Sequence, residues 1–305
     1  MRKGSLAQLH PFLQLIFVLC LVIVSSLLIT ALGIAAAIPF TGLEALTDLM
    51  QGSGSIAFLK YLQVVQSIAV FIVPAALAAW LFSEKPAQWL WFTGTKSTWV
   101  IIAMLAILAI QPFVSWIGMV NAQISLPDYL APLYNWMHQT EASANKIIFQ
   151  FLDTKHLPTI LFNVFMIAIL PALGEEMLFR GALQPLLQKI FKNHHAAIWI
   201  TAFLFSAIHM QFLTFAPRFV LGALLGYLLV YGGSIWYPIA AHFFNNLSSL
   251  MVFHYYRYSK PDIDPFDPGI ATPALSVALL SLVVAVGFIY LFWKWSRKGR
   301  KLLPS

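Results

Sequence analysis

Residues 157–191 read LPTILFNVFMIAILPALGEEMLFRGALQPLLQKIF, and the three charges near the middle of that run decide what kind of fold can contain it. The stretch is too long for one straight membrane crossing, which takes about 20 apolar residues. Pro171 and Pro185 interrupt it. Proline removes a ladder donor and its ring collides with the carbonyl one turn back, so a kink or break is expected near either residue. A charged side chain at a helix centre costs roughly 2.5–3.5 kcal/mol on the insertion scale, so Glu175, Glu176 and Arg180 together would cost about 10 kcal/mol against lipid. They must face a protein or water-filled interior, which demands further helices around them.

The rest of the chain supplies those helices. It has 305 residues, 60% of them hydrophobic and 10% charged, with mean hydropathy +0.80. A soluble domain would be roughly 45–50% apolar and about 25% charged. The same figures exclude a disordered chain, and runs of unbroken apolar residues exclude an outer-membrane barrel, whose strands alternate. The fold class is therefore all-α and polytopic, with spans expected at residues 12–38, 56–82, 98–120, 157–191, 196–213, 217–231, 234–256 and 273–295 around an interior polar cavity. Gly232 and Gly233 provide the tight turn between the sixth and seventh. With no repeat or soluble region evident, residues 1–305 read as one membrane domain with its chemistry concentrated in 157–256.

Net charge is +7 and the sequence pI is near 9.5. Here the excess reads as membrane orientation, with no call for nucleic acid. An even number of spans puts Arg2, Lys3, Lys85, Lys96, Lys189, Lys192, Lys294, Arg297, Lys298, Arg300 and Lys301 on one side, against Glu84 alone, and that side is expected to be cytoplasmic, in a bacterial plasma membrane. Glu44, Asp48, Asp128, Glu141, Asp153, Asp262, Asp264 and Asp267 fall opposite, mixed with Lys60, Lys146, Lys155, Arg218, Arg257 and Lys260. Trp80, Trp89, Trp91 and Trp99 form an interfacial belt. The apolar run after Arg2 and Lys3 exceeds the about 7–15 residues of a signal h-region, so a retained first helix is expected. The 121–156 loop is long enough for an amphipathic helix with Tyr134, Trp136, Met137, Ile147, Ile148 and Phe151 on its apolar side, lying over the outer end of the cavity. Cys20 is the single cysteine, so an intramolecular disulfide or a Cys₄ metal site is impossible.

Three polar groups interrupt the apolar spans. Glu176 and Arg180 are four apart and share a helix face, where they can pair; Glu175 is rotated by about 100° and stays free of that pair. A carboxylate beside a like charge and partly desolvated suits proton transfer near neutral pH. His209 lies in the fifth expected span with Phe205 one turn earlier, and His242 and Asn246 share a face in the seventh, with Asn245 as an alternative to Asn246. Two chemistries remain open. Glu175 and His209 could deprotonate a water while His242 and Asn246 donate to the oxyanion, or Glu175, His209 and His242 could ligate Zn²⁺. Buried polar groups could also serve a proton-coupled transporter or merely hold a non-catalytic bundle together. No HExxH or nucleophile motif is present.

The ordered set Glu175-Glu176-x-x-x-Arg180, Phe205-x-x-x-His209 and His242-x-x-x-Asn246 resembles the CPBP family of intramembrane proteases, which takes in type II CAAX prenyl endopeptidases and bacteriocin-processing or bacteriocin-immunity proteins. The resemblance implies an eight-helix membrane protease acting on a membrane-associated protein or peptide. In that likeness Glu175 and His209 activate water, His242 and Asn246 stabilise the oxyanion, and Glu176, Arg180 and Phe205 support them.

Overall fold

The computed structural model describes residues 2–52, 54–260, 262–263 and 273–299. Asp264, Asp267, Arg300 and Lys301, counted above toward orientation, lie outside the described residues. Within them there are helices and no strand: α1 Pro11–Thr41, α2 Glu44–Met50, α3 Ile56–Phe82, α4 Pro86–Trp89, α5 Ser97–Ala122, α6 Ala131–Leu152, α7 Leu157–Phe191, α8 His194–Ala207, α9 Phe215–Gly232, α10 Trp236–Ser259 and α11 Leu275–Gly299. The all-α polytopic expectation holds. Six of these, α1, α3, α5, α7, α9 and α11, are long and apolar enough to cross a membrane. The two expected spans that fall short are α8, with only 14 residues, and α10, whose His242, Asn245 and Asn246 dilute its hydropathy. They are also the two that carry or precede the histidines.

Helix α7 is the hub, packing on α1, α3, α8, α9 and α10. One core joins Val18, Ala75, Ala79, Leu178, Phe179, Phe205 and Leu229 around it. A second is built from Ile107, Ile110, Leu228, Tyr237, Ala241 and Phe292, where α5, α9, α10 and α11 meet. Gly233 closes α9 with φ +66° in the left-handed region that favours glycine, as the turn requires.

The expected break in α7 does not occur. The helix runs through both prolines because it widens to π geometry just before each, over Val164–Ile169 and Met177–Leu183. The residue preceding each proline donates five residues back, Leu170 to the Phe165 carbonyl and Gln184 to the Phe179 carbonyl. A wider turn moves the colliding carbonyl away from the proline ring, so the helix continues past each proline. Helix α3 does the same before Pro74, over Ile68–Ile72. There Ser25 Oγ on α1 donates to the Ala69 carbonyl at 2.7 Å.

The loop helix expected within 121–156 is α6. Phe151 is buried and Tyr134, Met137 and Ile148 are half-buried, whereas Trp136 and Ile147 are exposed. Its C-terminal end is tied down by charge. Lys60, expected in an outer loop, is buried in α3; its Nζ donates to the Phe151 carbonyl at 3.0 Å and to Asn163 Oδ1 at 2.7 Å. Arg257 Nε and Nη2 each donate to the Asp153 carboxylate at 2.9 Å.

Helices α8 and α9 approach closely because Gly222 and Gly226 have no side chain. A Cβ on Gly226 would sit 2.8 Å from Gln184 Oε1 and 2.9 Å from Ile198 Cγ2, whereas one on Gly287 of α11 would meet nothing within 4 Å. Gly226→Leu is therefore expected to lower stability in detergent by about 1–3 kcal/mol, read as a lower melting temperature, and Gly287→Leu to leave it unchanged. The Arg257 hydrogen bonds hold the Asp153 carboxyl below its ordinary 3.8. Their stabilisation is present above that value and lost as pH falls through the folded one. The pair is a third exposed, so its contribution is small; the melting difference between wild type and Arg257→Gln at pH 7 is expected to shrink as pH is lowered below 3.8.

Candidate active site

Glu176 and Arg180, four residues apart across the wide turn of α7, are both wholly buried. Arg180 Nη1 donates to Glu176 Oε1 at 2.9 Å and Nη2 to the Gly222 carbonyl of α9 at 2.9 Å. The guanidinium lies over the Phe205 ring, 4.5 Å from its centroid. That stacking suits arginine's planar, weakly hydrated charge. The same Glu176 oxygen accepts His242 Nδ1 at 2.9 Å. A carboxylate acceptor makes Nδ1 the protonated nitrogen and turns the lone pair of Nε2 outward. His242 Nε2 then lies 3.9 Å from Glu175 Oε2, too long for a direct hydrogen bond but suited to sharing one oxygen atom between them.

Glu175 differs from its neighbour. Each has a buried Oε2 with no hydrogen-bond partner, but Glu176 is held through Oε1, whereas the side chain of Glu175, 7% exposed, has no hydrogen bond among the described residues. Buried carboxylate oxygens are normally satisfied, and one left open is a group whose partner comes from elsewhere.

His209 lies beyond the end of α8, which stops at Ala207 rather than running to residue 213. It still meets Phe205 as the four-residue spacing anticipated. Its Nδ1 donates to the Phe205 carbonyl at 2.7 Å and its ring sits 5.1 Å from the Phe205 ring, leaving Nε2 free. Phe205 also packs edge-on against His242, centroids 5.9 Å apart, so one phenyl ring spaces both imidazoles and the guanidinium. No His209–Glu175 ion pair within 4.0 Å occurs among the described residues. Asn246 sits one turn beyond His242, and its Nδ2 donates at 3.1 Å to the Ile167 carbonyl of α7. That carbonyl is four residues before Pro171 and so has lost its helical donor.

The segment 208–214 that carries His209 is held by residues that no motif marked. Asn121, at the end of α5, donates from Nδ2 to the Phe212 carbonyl and accepts from Ala216 N–H. Glu141, expected in solvent, is instead buried on α6 and accepts from Leu213 N–H at 2.8 Å and Thr214 Oγ at 3.2 Å. Arg218, also expected in an outer loop, lies in the first turn of α9 and pairs with Gln211. Only the unusual position of a glutamate and an arginine beside apolar runs could have pointed to them.

Both imidazoles present Nε2 with Nδ1–H engaged by a carboxylate or a carbonyl, an arrangement that suits metal ligands. The separations do not match: among the described residues no three of His, Cys, Asp or Glu gather closely enough to hold a metal ion.

Residues 157–248, which include Glu175, His209, His242 and Asn246, match the family model of type II CAAX prenyl endopeptidase Rce1-like proteins. Over that segment the chain is similar to the CPBP family of intramembrane proteases. That likeness supports an intramembrane CAAX-type endopeptidase in general and suggests membrane-associated protein or peptide as the class of substrate. The chain is also 28% identical over 184 residues to the uncharacterised protein YpbD of Bacillus subtilis (strain 168), covering 57% of this chain and 80% of that protein. No solved structure matches it.

Glu141→Ala would leave the half-buried Leu213 N–H without its acceptor, at a cost of about 1 kcal/mol. The expected result is a lower melting temperature in detergent, together with faster hydrogen exchange confined to residues 208–216.

Proposed function

We propose that the chain cleaves a peptide bond of a membrane-associated substrate with a water activated by Glu175. The observation that carries this reading is the division of labour between adjacent carboxylates. Glu176 takes two hydrogen bonds on Oε1, from Arg180 and His242, and keeps a buried Oε2 without a partner, while the Glu175 side chain takes none among the described residues and its buried Oε2 lies 3.9 Å from an imidazole nitrogen.

In this reading a water bound to Glu175, with His209 Nε2 as a second contact, attacks the scissile carbonyl as its proton passes to the carboxylate. The carbonyl oxygen becomes an oxyanion, held by Asn246 Nδ2–H and by His242, which donates from Nε2 once that nitrogen carries a proton. Collapse of the tetrahedral intermediate breaks the C–N bond. Glu175 returns its proton to the leaving amine, so the sum is one water consumed and two termini formed. Glu176 keeps the His242 ring oriented through Nδ1, Arg180 neutralises Glu176, and Phe205 spaces the two imidazoles. Residues 157–256 are the catalytic core of a single membrane domain whose termini face the cytoplasm of a bacterium.

The test compares the peptide termini of membranes expressing wild type and Glu175→Gln protein. Wild type generates termini that the variant lacks, and cleavage by purified Glu175→Gln falls at least about 10³-fold with the melting temperature retained. An active Glu175→Gln enzyme overturns the reading. Uptake of a solute into proteoliposomes, lost in Glu175→Gln with no termini generated by wild type, identifies a transporter instead.

A further inference from the structure

The Asn246 amide can face the substrate in only one way, and its orientation is set from helix α5. Gln111 Nε2 donates at 3.0 Å to the Ile107 carbonyl and at 3.0 Å to Asn245 Oδ1. Asn245 Nδ2 donates at 3.3 Å to Asn246 Oδ1, and Asn246 Nδ2 donates at 3.1 Å to the Ile167 carbonyl. Three side-chain amides thus run head to tail between two backbone carbonyls on different helices.

A carbonyl oxygen accepts and never donates, so each end of this chain demands an N–H. At the near end Ile107 requires the amide nitrogen of Gln111, which leaves Asn245 to present its oxygen. Asn245 then has its nitrogen for Asn246, and Asn246 has its own nitrogen for Ile167. Reversing Asn246 alone would press its oxygen against the Ile167 oxygen and its nitrogen against the Asn245 nitrogen. A side-chain amide is normally free to flip, and here both neighbours forbid it. One hydrogen on Asn246 Nδ2 is spent on Ile167 and the other is left, on the helix face shared with His242.

We infer that Gln111 is a positioning residue for catalysis, acting through Asn245 to hold Asn246 as a hydrogen-bond donor toward the oxyanion. This rests on the role given to Asn246 above. Gln111 immediately precedes Pro112, and the next N–H, that of Phe113, reaches Ser281 Oγ of α11 at 2.9 Å. Helix α5 is thus pinned to α11 at the level where Gln111 projects, giving the amide chain a fixed origin. The Ile167 carbonyl at its far end is free to accept because Pro171 follows four residues later. Two prolines on different helices therefore bracket the chain.

The experiment uses the full chain in proteoliposomes and a synthetic quenched peptide spanning the bond that wild-type but not Glu175→Gln membranes cut. Gln111→Met, nearly isosteric, is expected to lower kcat about tenfold with KM within about twofold of wild type, because the donor is loosened rather than removed. Asn245→Ala, a second break in the same chain, is expected to do the same. In an Asn246→Ala background Gln111→Met is expected to cost nothing further. An unchanged kcat in both single variants overturns the inference. So does an undiminished tenfold loss on top of Asn246→Ala, or a fall in kcat that tracks the melting temperature. Wild-type kcat in Asn246→Ala itself overturns the role of Asn246, and the inference with it. The Glu175 result stands apart from all of these, so failure of the amide chain and failure of the protease reading are told apart.

Discussion

A carboxylate with no exposed surface must be neutralised where it stands, and the bundle is arranged around that requirement at Glu176. Unpaired, it would cost several kcal/mol even after relaxation. Its single bonded oxygen takes one hydrogen bond from Arg180 on its own helix and one from His242 on α10. Arg180 in turn needs acceptors, and finds its second in the Gly222 carbonyl, exposed because that glycine lets α9 come close. Three helices are thereby locked by one charge, and Phe205 on a fourth is pressed against the guanidinium. Such a cluster is weak evidence of stability, since a well-packed apolar core could do as well. Its value lies in geometry: it sets the ring plane and tautomer of His242 and leaves Glu175 as the carboxylate still seeking a partner.

Proline contributes to the same end by a different route. Each wide turn before Pro74, Pro171 and Pro185 leaves backbone oxygens without helical donors, and a bilayer offers no water to satisfy them. Side chains on neighbouring helices therefore reach in, Ser25 to Ala69 and Asn246 to Ile167. In α7 the second π segment, Met177–Leu183, also includes Arg180 and shifts the register between it and Glu176. Helix irregularity here is where interhelical polar contacts are made, in keeping with π-bulges clustering at functional sites.

Much of this was legible in the sequence, and the parts that were not share a cause. Hydropathy placed α3 and α7 to the residue and the other long helices within a few, because lipid imposes a length and composition that local sequence must satisfy. The i, i+4 rule gave the Glu176–Arg180 pair and the freedom of Glu175. What was missed depends on distant contacts. His209 falls outside α8 because Glu141, about 70 positions away, and Asn121, farther still, hold the following segment in a non-helical path. Lys60, Glu141 and Arg218 were assigned to outer loops by charge alone, yet buried acceptors or donors claim Lys60 and Glu141. Of the kink or break expected at the prolines, the break is absent: the helix runs on through both by widening to π geometry.

The two helices that fail the length or hydropathy requirement for a membrane crossing are α8 and α10, and the reason is chemical. A span is apolar in proportion to what it keeps from doing, and α10 gives up apolar positions to His242, Asn245 and Asn246, while α8 ends early so that His209 can leave the helix and turn to Phe205. Neither could stand alone in lipid. They are tolerated because α5, α7, α9 and α11, which are apolar enough, surround them and supply the packing. Six crossings and eight crossings both leave the two termini on one side, so the expected sidedness is the same whether α8 and α10 both cross or neither does. The division between satisfying lipid and holding polar groups is not one of outer against inner helices: α7 is apolar enough to cross a membrane and still carries Glu175, Glu176 and Arg180 on its buried face, where α8, α9 and α10 pack.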